Sequence, residues 1–246
     1  MKKIAIITGG SKGLGKGLVH TFLNEKFEVI SLARGISGLS SEKLQEVAID
    51  LSDVTQLENK FNELLNKIEL SDYTSLYLIH NAASLGHVAP IDQNSTDTIA
   101  RTIQLNYTTP AILNAILIRK IKSWQGKVRI AQISSGAASK AYFGWSLYCS
   151  SKAGLDMLTR TIALENAEHS NFKICSIDPG VMDTNMQAQI RKATADEFPS
   201  IERFLNYKKE NWLIDPLVTA GAITETLLKD GYENGAIFDV KHMIYK

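Results

Sequence analysis

A phenol and an ammonium stand one helical turn apart in the segment "GWSLYCSSKAG". Residues i and i+4 of a helix share a face, so Tyr148 and Lys152 can point into one site. A free phenol has a pKa of about 10, and a nearby cation can lower that pKa by roughly 1–3. The pair could therefore act as a general acid near neutral pH. The same spacing also suits an ordinary polar pair on a helix surface.

Two serines end an apolar run shortly before this pair, in "ISSGAAS". Ligands of open α/β sheets bind beyond the carboxyl ends of the strands, so polar residues there are candidates for function. Ser135 precedes Tyr148 by 13 positions. Its hydroxyl could hold a substrate carbonyl and stabilise the negative charge that develops on it. Ser134 is the alternative for this role.

A glycine cluster follows the first apolar run, in "IAIITGGSKGLGKG". Glycine lets the backbone turn sharply, and the free N–H groups of a helix N-terminus suit a diphosphate. The spacing T-G-x-x-x-G-x-G is met by Thr8, Gly9, Gly13 and Gly15, whereas Leu18 stands where G-x-G-x-x-G requires its third glycine. The alternative is a strand–helix turn that binds nothing.

Strands and helices must alternate to position these residues. Short apolar runs predict strands at Lys3–Thr8, Phe27–Ala33, Glu46–Asp50, Ser75–His80, Lys127–Ser134, Phe172–Asp178 and Ala236–Asp239. Helical patterns lie at Gly13–Glu25, Val54–Lys67, Thr96–Lys122, Tyr148–Ala167 and Pro216–Lys229. The strands lack polar alternation, as expected when both faces of a parallel sheet are buried. We predict an α/β fold with one Rossmann-type, doubly wound parallel sheet of about seven strands and helices on both faces.

No repeat or linker divides the 246 residues, a length that suits one α/β domain. We expect a single domain over 1–246, with a cofactor half at about 1–125 and a catalytic and substrate half at about 126–246. Residues 182 to about 212 are polar and mixed, with Pro199 among them. Such a long insertion predicts a lid or a mobile loop.

Composition argues against several classes of protein. A formal charge of +1 gives no general attraction to nucleic acid or to an anionic membrane. The longest apolar runs fall far short of a membrane span, and Ile4 to Ile7 is too short for the core of a signal peptide. Cys149 and Cys175 are too few for a disulfide framework, and neither cysteines nor histidines show metal-ligand spacing. We expect a cytoplasmic protein with no metal, no nucleic-acid partner and no membrane partner.

The glycine turn and Tyr148-x-x-x-Lys152 together resemble the short-chain dehydrogenase/reductase family, over nearly the whole chain. "HNAA" at 80–83 resembles that family's N-N-A-G, with Ala83 in place of the glycine. "DLSD" at 50–53 resembles its adenine-contacting pair, and "DPGVMDT" at 178–184 its nicotinamide-holding P-G-x-x-x-T. Within the family, "GWSLYCSSKAGLDML", "DPGVMDTNMQ" and "GAIFD" are most similar to sepiapterin reductases and, by extension, to bacterial benzil reductases.

The resemblance implies a catalytic group of Ser135, Tyr148, Lys152 and Asn106, in which Asn106 orders water for a proton relay through Lys152. Taken alone, Asn106 could be a solvated helix position. His80 is assigned a structural role. The resemblance also implies a homodimer, or a tetramer, formed through the two long helices. The implied cofactor-binding residues are Thr8, Gly9, Ser11, Lys12, Gly13, Leu14, Gly15, Arg34, Asp50, Leu51, Asn81, Ala82, Tyr148, Lys152, Pro179, Gly180, Val181 and Thr184.

The second strand ends in Arg34, where an NAD-preferring domain carries a carboxylate. Lys12, in the glycine turn, is within reach of the same position. A charge-assisted hydrogen bond is worth roughly 1.5–3 kcal/mol, so two cations beside a 2′-phosphate predict NADP(H) as the cofactor. The alternative is that both side chains are solvated.

The candidate substrate pocket is apolar and aromatic, which favours a flat, neutral substrate. Its members are Ser135, Tyr142, Phe143, Trp145, Met182, Met186 and Asp239. Asp239 matches the carboxylate that anchors the pterin in sepiapterin reductase, or it is a solvated strand-end residue. We expect NADPH-dependent reduction of one carbonyl of an aromatic α-diketone such as benzil, or of a sepiapterin-like substrate. Turnover of another small ketone or alcohol, and an NADP(H) sensor without turnover, are the alternatives.

Overall fold

A computed structural model describes residues 2–244, which form one seven-stranded sheet. The strands are β1 (Lys2–Thr8), β2 (Glu28–Ala33), β3 (Leu44–Ala48), β4 (Tyr73–His80), β5 (Lys127–Ile133), β6 (Phe172–Asp178) and β7 (Ile237–Asp239). Neighbouring strands pair in parallel, in the order β3-β2-β1-β4-β5-β6-β7. The strand order reverses between β1 and β4, and this opens a crevice at the carboxyl edge of the sheet.

Helices cover both faces of the sheet. They are α1 (Gly13–Asn24), α2 (Leu57–Asn66), α3 (Thr96–Ile103), α4 (Thr109–Ile121), α5 (Ser146–Glu165), α6 (Asn185–Ile190), α7 (Ile201–Lys209), α8 (Pro216–Lys229) and α9 (Lys241–Ile244). Successive strand side chains point to opposite faces. Accordingly Leu78 packs with α2, α4 and α5, and Ile79 packs with α1 and α8. The predicted doubly wound fold is confirmed.

The predicted helix Thr96–Lys122 is divided into three parts. Gln104–Thr108, between α3 and α4, is π-helical, and Asn106 lies within it. One extra residue in a turn hardly changes an apolar pattern, so the sequence did not reveal the break. Single π turns inside α-helices are frequent at functional sites.

Two further predictions needed correction. Residues 182–212, for which a lid or a mobile loop was predicted and which are here called the lid segment, contain α6 and α7 and are therefore not a loop throughout. The predicted strand Glu46–Asp50 lies two residues too late, because β3 covers Leu44–Ala48. Asp50 instead accepts hydrogen bonds from the backbone N and the hydroxyl of Ser52, which fix it in a turn. One sheet runs through both predicted halves of the chain.

Two kinds of feature are missing from the described residues. No helix between residues 2 and 244 has the length and apolar character needed to cross a membrane. The same residues contain no group of three or more His, Cys, Asp or Glu side chains arranged to hold a metal ion.

Candidate active site

Tyr148 and Lys152 lie on the buried face of the first two turns of α5. Tyr148 is 7% exposed and Lys152 is 3% exposed. The Nζ atom of Lys152 lies 5.7 Å from the centre of the Tyr148 ring. It donates a 2.6 Å hydrogen bond to the carbonyl oxygen of Ile133, at the end of β5. The i,i+4 pair is therefore directed at the carboxyl edge of the sheet, and the helix-surface alternative does not describe it.

Ser135 follows β5 and begins a short 3₁₀ turn, Gly136–Ala138. Its Oγ atom accepts a 3.2 Å hydrogen bond from the backbone N of Ala137. It also hydrogen bonds to Tyr148, which acts to lower the pKa of that phenol. Ser134 is buried, and its Oγ has no hydrogen-bond partner within residues 2–244. Of the two serines, Ser135 is therefore the one beside the tyrosine.

Burial controls the acidity of both members of the pair. It raises the pKa of Tyr148 to about 12, and the Ser135 hydrogen bond only partly opposes it. Burial also lowers the pKa of Lys152 to about 8, against the opposing effect of the Asp156 carboxylate. The expected lowering of the Tyr148 pKa by Lys152 is not seen, because Lys152, with a pKa of about 8, has lost its charge before a phenol with a pKa of about 12 ionises.

The side chain of Asn106 is bound by protein groups on both sides. Its Oδ1 accepts a 2.8 Å hydrogen bond from the backbone N of Ser84, and its Nδ2 donates to the carbonyl of Ser84 at 2.8 Å. The same Nδ2 donates to the hydroxyl of Ser151 on α5 at 3.1 Å. Asn106 is 1% exposed, so it is not a solvated helix position. It joins the loop after β4 to α5, and any role in ordering water falls to its backbone.

Two glycines in and after the turn that follows β1 have no space for a side chain. A Cβ atom on Gly15 would lie 2.0 Å from the carbonyl oxygen of Gly9, and one on Gly10 would lie 2.3 Å from the Ser31 hydroxyl. Sequence reasoning missed Gly10, whose constraint comes from β2. Lys12, the N-cap residue of α1, makes no side-chain capping bond, so the first N–H groups of that helix face the turn uncapped. Such a turn suits the close approach of a diphosphate.

Thr8 and Asn81 join this turn to the end of β4 across the crevice. The Thr8 hydroxyl accepts from the backbone N of Asn81 at 2.9 Å and from that of Ala82 at 3.1 Å. The Asn81 amide donates to the carbonyl oxygens of Thr8 and Gly9. These two residues therefore shape the crevice.

The remaining predicted cofactor residues differ in their exposure to solvent. Lys12, Arg34 and Asp50 are exposed at the carboxyl edge, whereas Leu14 and Leu51 are buried. The Ser52 hydrogen bonds lower the pKa of Asp50, and the charge of Arg34 adds to this. Around β6, Pro179, Gly180 and Val181 lead to Thr184, the N-cap of α6. A Cβ atom on Gly13 would lie 3.4 Å from the side chain of Thr184. The glycine turn and the start of α6 are therefore close together at this point.

An aromatic cluster covers Tyr148. The Trp145 ring stacks on Phe198 of the lid segment at 5.0 Å and meets Tyr148 edge-on at 5.7 Å. Phe204 of α7 packs on Trp145 at 5.4 Å, and Tyr142 does so at 5.0 Å. A Cβ atom on Gly144, whose φ is +78°, would lie 2.3 Å from the Glu197 carbonyl. The lid segment is therefore closely packed on the start of α5.

The comparison with known proteins agrees with this geometry. The family profile described as short chain dehydrogenase matches residues 3–195. The chain belongs to the short-chain dehydrogenase family. It is 40% identical over 243 residues to a benzil reductase ((S)-benzoin forming) of Bacillus subtilis (strain 168), covering 98% of this chain and 100% of that protein. It is 26% identical to a sepiapterin reductase of Xenopus tropicalis, covering 96% and 95% of the two chains.

Solved structures of other proteins have the same fold. The KRED1-Pglu enzyme superimposes with a TM-score of 0.83 at 26% identity, over 96% of this chain and 100% of that one. A 4-hydroxyisoleucine dehydrogenase complexed with NADH gives a TM-score of 0.78 at 25% identity, over 97% and 96% of the two chains.

In this short-chain dehydrogenase, some predicted substrate residues lie in the aromatic cluster and others do not. Trp145 belongs to it, and Tyr142 and Met186 pack against its margin. Phe143 is exposed, and Met182 packs with the core on the α1 and α8 face. The buried members of the cluster that sequence reasoning missed are Leu85, Val88, Ala137, Ile190, Ile201, Phe198 and Phe204. The aromatic residues within the lid segment were the available signal for the last two.

Asp239 ends β7, where it is paired in register with Asp178 of β6. Its Oδ1 accepts a 2.9 Å hydrogen bond from the backbone N of Lys241, at the start of α9. The carboxylate is exposed at the edge of the sheet that carries the site. The position of Asp239 would allow contact with a substrate. Its hydrogen bond to the backbone of Lys241 is of the kind made by a strand-end residue that caps a turn.

Proposed function

We propose that this chain is an NADPH-dependent carbonyl reductase that transfers hydride to one carbonyl of an aromatic α-diketone, of the benzil-to-benzoin type. The observation that carries the proposal is the burial of Tyr148 and Lys152, beside Ser135, beneath an aromatic cluster. Such a pocket suits a flat substrate without charge. The name of the Bacillus subtilis relative supports the reaction type.

The crevice fits a nicotinamide dinucleotide. Two glycines of the turn leave no space for a Cβ atom, and the uncapped start of α1 offers its N–H groups to a diphosphate. A structural neighbour at 25% identity is complexed with NADH. Lys12 and Arg34 are exposed at the end of the crevice where the ribose 2′-phosphate of NADPH would lie. Their charges favour NADPH over NADH. The bound cofactor supplies the hydride.

The protein residues supply the electrophilic assistance and the proton. The hydroxyls of Ser135 and Tyr148 donate to the substrate carbonyl oxygen, which becomes an alkoxide as hydride adds to the carbon. Tyr148 transfers its proton to that alkoxide, so the O–H bond of the phenol breaks and that of the product alcohol forms. Lys152 stabilises the resulting phenolate by its charge until a proton from solvent restores the phenol.

Steady-state oxidation of NADPH against a panel of diketones tests this function. Benzil should be reduced at one carbonyl to a single enantiomer of benzoin, which chiral chromatography of the product detects. Matched reactions with simple aryl ketones should be slower, because an adjacent carbonyl withdraws electrons and eases hydride addition. Tight NADPH binding without turnover of any ketone would instead favour a sensor.

A pterin is a second candidate substrate, favoured by the exposed carboxylate of Asp239 at the edge of the site. Asp239→Asn should reduce pterin turnover while leaving benzil reduction nearly unchanged, because benzil offers no N–H group to a carboxylate. Comparison of kcat/KM for the two substrates measures this. Equal losses on both would show a structural Asp239.

The proposal includes a homodimer, with a tetramer as the alternative. Met157 and Leu164 of α5 are 58% and 78% exposed, and they lie on the helix that the family resemblance assigns to the dimer. Light scattering during gel filtration measures the mass. Free thiols at Cys149 and Cys175 suit a reducing, cytoplasmic setting.

A further inference from the structure

The ammonium of Lys152 has more donors than the protein satisfies. It carries three N–H groups, and within residues 2–244 its hydrogen-bond acceptor is the Ile133 carbonyl oxygen. Lys152 is 3% exposed, so bulk water does not reach it freely. Burying a charged group without hydrogen-bond partners is costly. A further acceptor near Nζ, on the side of the sheet that α5 covers, would therefore stabilise the buried ammonium.

His80, the last residue of β4, offers such an acceptor. Its Nε2 lies 2.7 Å from Oδ1 of Asn114. Because an amide oxygen can only accept, Nε2 carries the proton. Burial lowers the pKa of His80 to about 4, so the ring is neutral and its Nδ1 is a lone pair. That Nδ1 has no hydrogen-bond partner in residues 2–244.

The sheet brings this lone pair close to Lys152. His80 is paired in register with Gln132 on β5, and Gln132 precedes Ile133, whose carbonyl binds the ammonium. The charge of Lys152 acts on His80 and contributes to lowering its pKa. Both amide atoms of Gln132, which is 0% exposed, also lack a partner among the described residues, as does Nδ2 of Asn114. Unpaired buried polar atoms of this kind are usually satisfied by ordered water.

We propose that a buried water bridges Nζ of Lys152 and Nδ1 of His80, and that His80 thereby positions the ammonium beneath Tyr148. Water accepts from the lysine and donates to the imidazole, and Gln132 supplies its further hydrogen bonds. The other charged and titratable groups around Lys152 are Asp156 and Tyr148 on α5, with Asp178 beyond them on β6. Asp156 accepts a hydrogen bond from Ser176. His80 is therefore a positioning residue that acts through Lys152.

Titration of Lys152 in the full-length protein tests the inference without any substrate. The ¹³Cε resonance of Lys152, assigned by its loss in Lys152→Ala, reports its pKa by NMR. His80→Leu removes the acceptor and should lower that pKa by about 1 or more. His80→Asn keeps an acceptor oxygen and should stay close to the wild type. Ser75→Ala is the matched control. Ser75 is buried at the opposite end of β4, its hydroxyl also lacks a hydrogen-bond partner within residues 2–244, and its substitution should leave the Lys152 pKa unchanged.

Activity provides a second readout, which rests on the proposed function. In His80→Leu the alkaline limb of the kcat profile should move to lower pH with the pKa of Lys152, while His80→Asn restores it. If His80→Leu does not fold, Gln132→Met should lower the pKa of Lys152 in the same direction. An unchanged Lys152 pKa in His80→Leu, or in Gln132→Met if His80→Leu does not fold, overturns the inference. An equal lowering of the Lys152 pKa in His80→Leu and His80→Asn also overturns it. A wild-type protein that reduces no ketone would defeat the proposed function and leave the titration to decide about His80.

Discussion

At the scale of single residues, burial and hydrogen bonding decide what Tyr148 can do. The sequence predicted its partnership with Lys152 and Ser135 from spacing and family resemblance. Spacing contains no information on exposure, so the direction of the pKa of Tyr148 could not be predicted from it. In the structure that pKa is about 12, which suits a residue that stays protonated until an alkoxide takes its proton.

Removing the phenolic hydroxyl tests the proton donor. Tyr148→Phe keeps the ring and its contact with Trp145, so NADPH should still bind, while turnover falls by at least about 10²-fold because the general acid is lost. Lys152→Ala should also impair turnover and move the pH dependence upward. Fluorescence titration and steady-state kinetics measure the two effects. Near-normal kcat in Tyr148→Phe would refute the mechanism.

Neutral substitutions at Lys12 and Arg34 test cofactor choice. The double variant Lys12→Ala with Arg34→Ala should weaken NADPH binding by at least about tenfold, because each charge-assisted hydrogen bond is worth roughly 1.5–3 kcal/mol. NADH binding should change little, since NADH has no 2′-phosphate. Calorimetric titration with both cofactors compares them. A wild-type protein indifferent to the 2′-phosphate contradicts the assignment.

At the scale of elements, the site depends on two features that local sequence patterns did not reveal. The π-helical turn at Gln104–Thr108 places Asn106 where it can bind Ser84 and Ser151 at once. The lid segment packs through contacts between residues far apart in the chain, such as Trp145 with Phe198. The periodicity of apolar residues within a short stretch of sequence can reveal neither the π-helical turn nor these long-range contacts.

A methyl group at Gly144 tests the packing of the lid segment. Gly144→Ala would place a Cβ atom 2.3 Å from the Glu197 carbonyl, at a φ of +78° that costs an L-residue about 1–2 kcal/mol. We expect a lower Tm and a raised KM for the diketone, with NADPH binding retained. Gly221→Ala in α8 is the control, because nothing lies within 4 Å of its Cβ and alanine favours a helix. Equal behaviour of the two variants would show that the lid segment is not tightly packed there.

At the scale of the whole molecule, the order of short apolar runs and helical patterns was enough to predict a doubly wound sheet. Parallel strands such as β1 and β4 are apolar on both faces, so their runs are visible in the sequence. The ends of elements were less predictable, as β3 shows, because turn hydrogen bonds such as that of Ser52 with Asp50 decide them. The predicted site residues were identified from sequence motifs. Gly10, Phe198 and Phe204 could be identified only from the three-dimensional structure.

The buried, neutral His80 makes global stability depend on pH. Its pKa is about 4 in the folded state, below the ordinary histidine value of about 6.5. Between those values the unfolded chain binds more protons, so the free energy of unfolding should fall as pH drops from about 6.5 to about 4, by roughly 3 kcal/mol at most. Urea denaturation across this range measures the fall. His80→Asn should show a smaller one, and an identical pH dependence in both proteins would contradict the burial of a neutral imidazole.

The stacking of Trp145 between Tyr148 and the lid segment gives the molecule an intrinsic optical reporter. An indole held against Phe198 has a dry environment, whereas Trp212 is 63% exposed. Any opening of the lid segment should therefore shift Trp145 emission to the red without an added label. Reduced nicotinamide absorbs at the wavelengths where tryptophan emits, so energy transfer from Trp145 would also register arrival of the dinucleotide. Stopped-flow recording of the two signals could then separate the order of cofactor binding and lid movement.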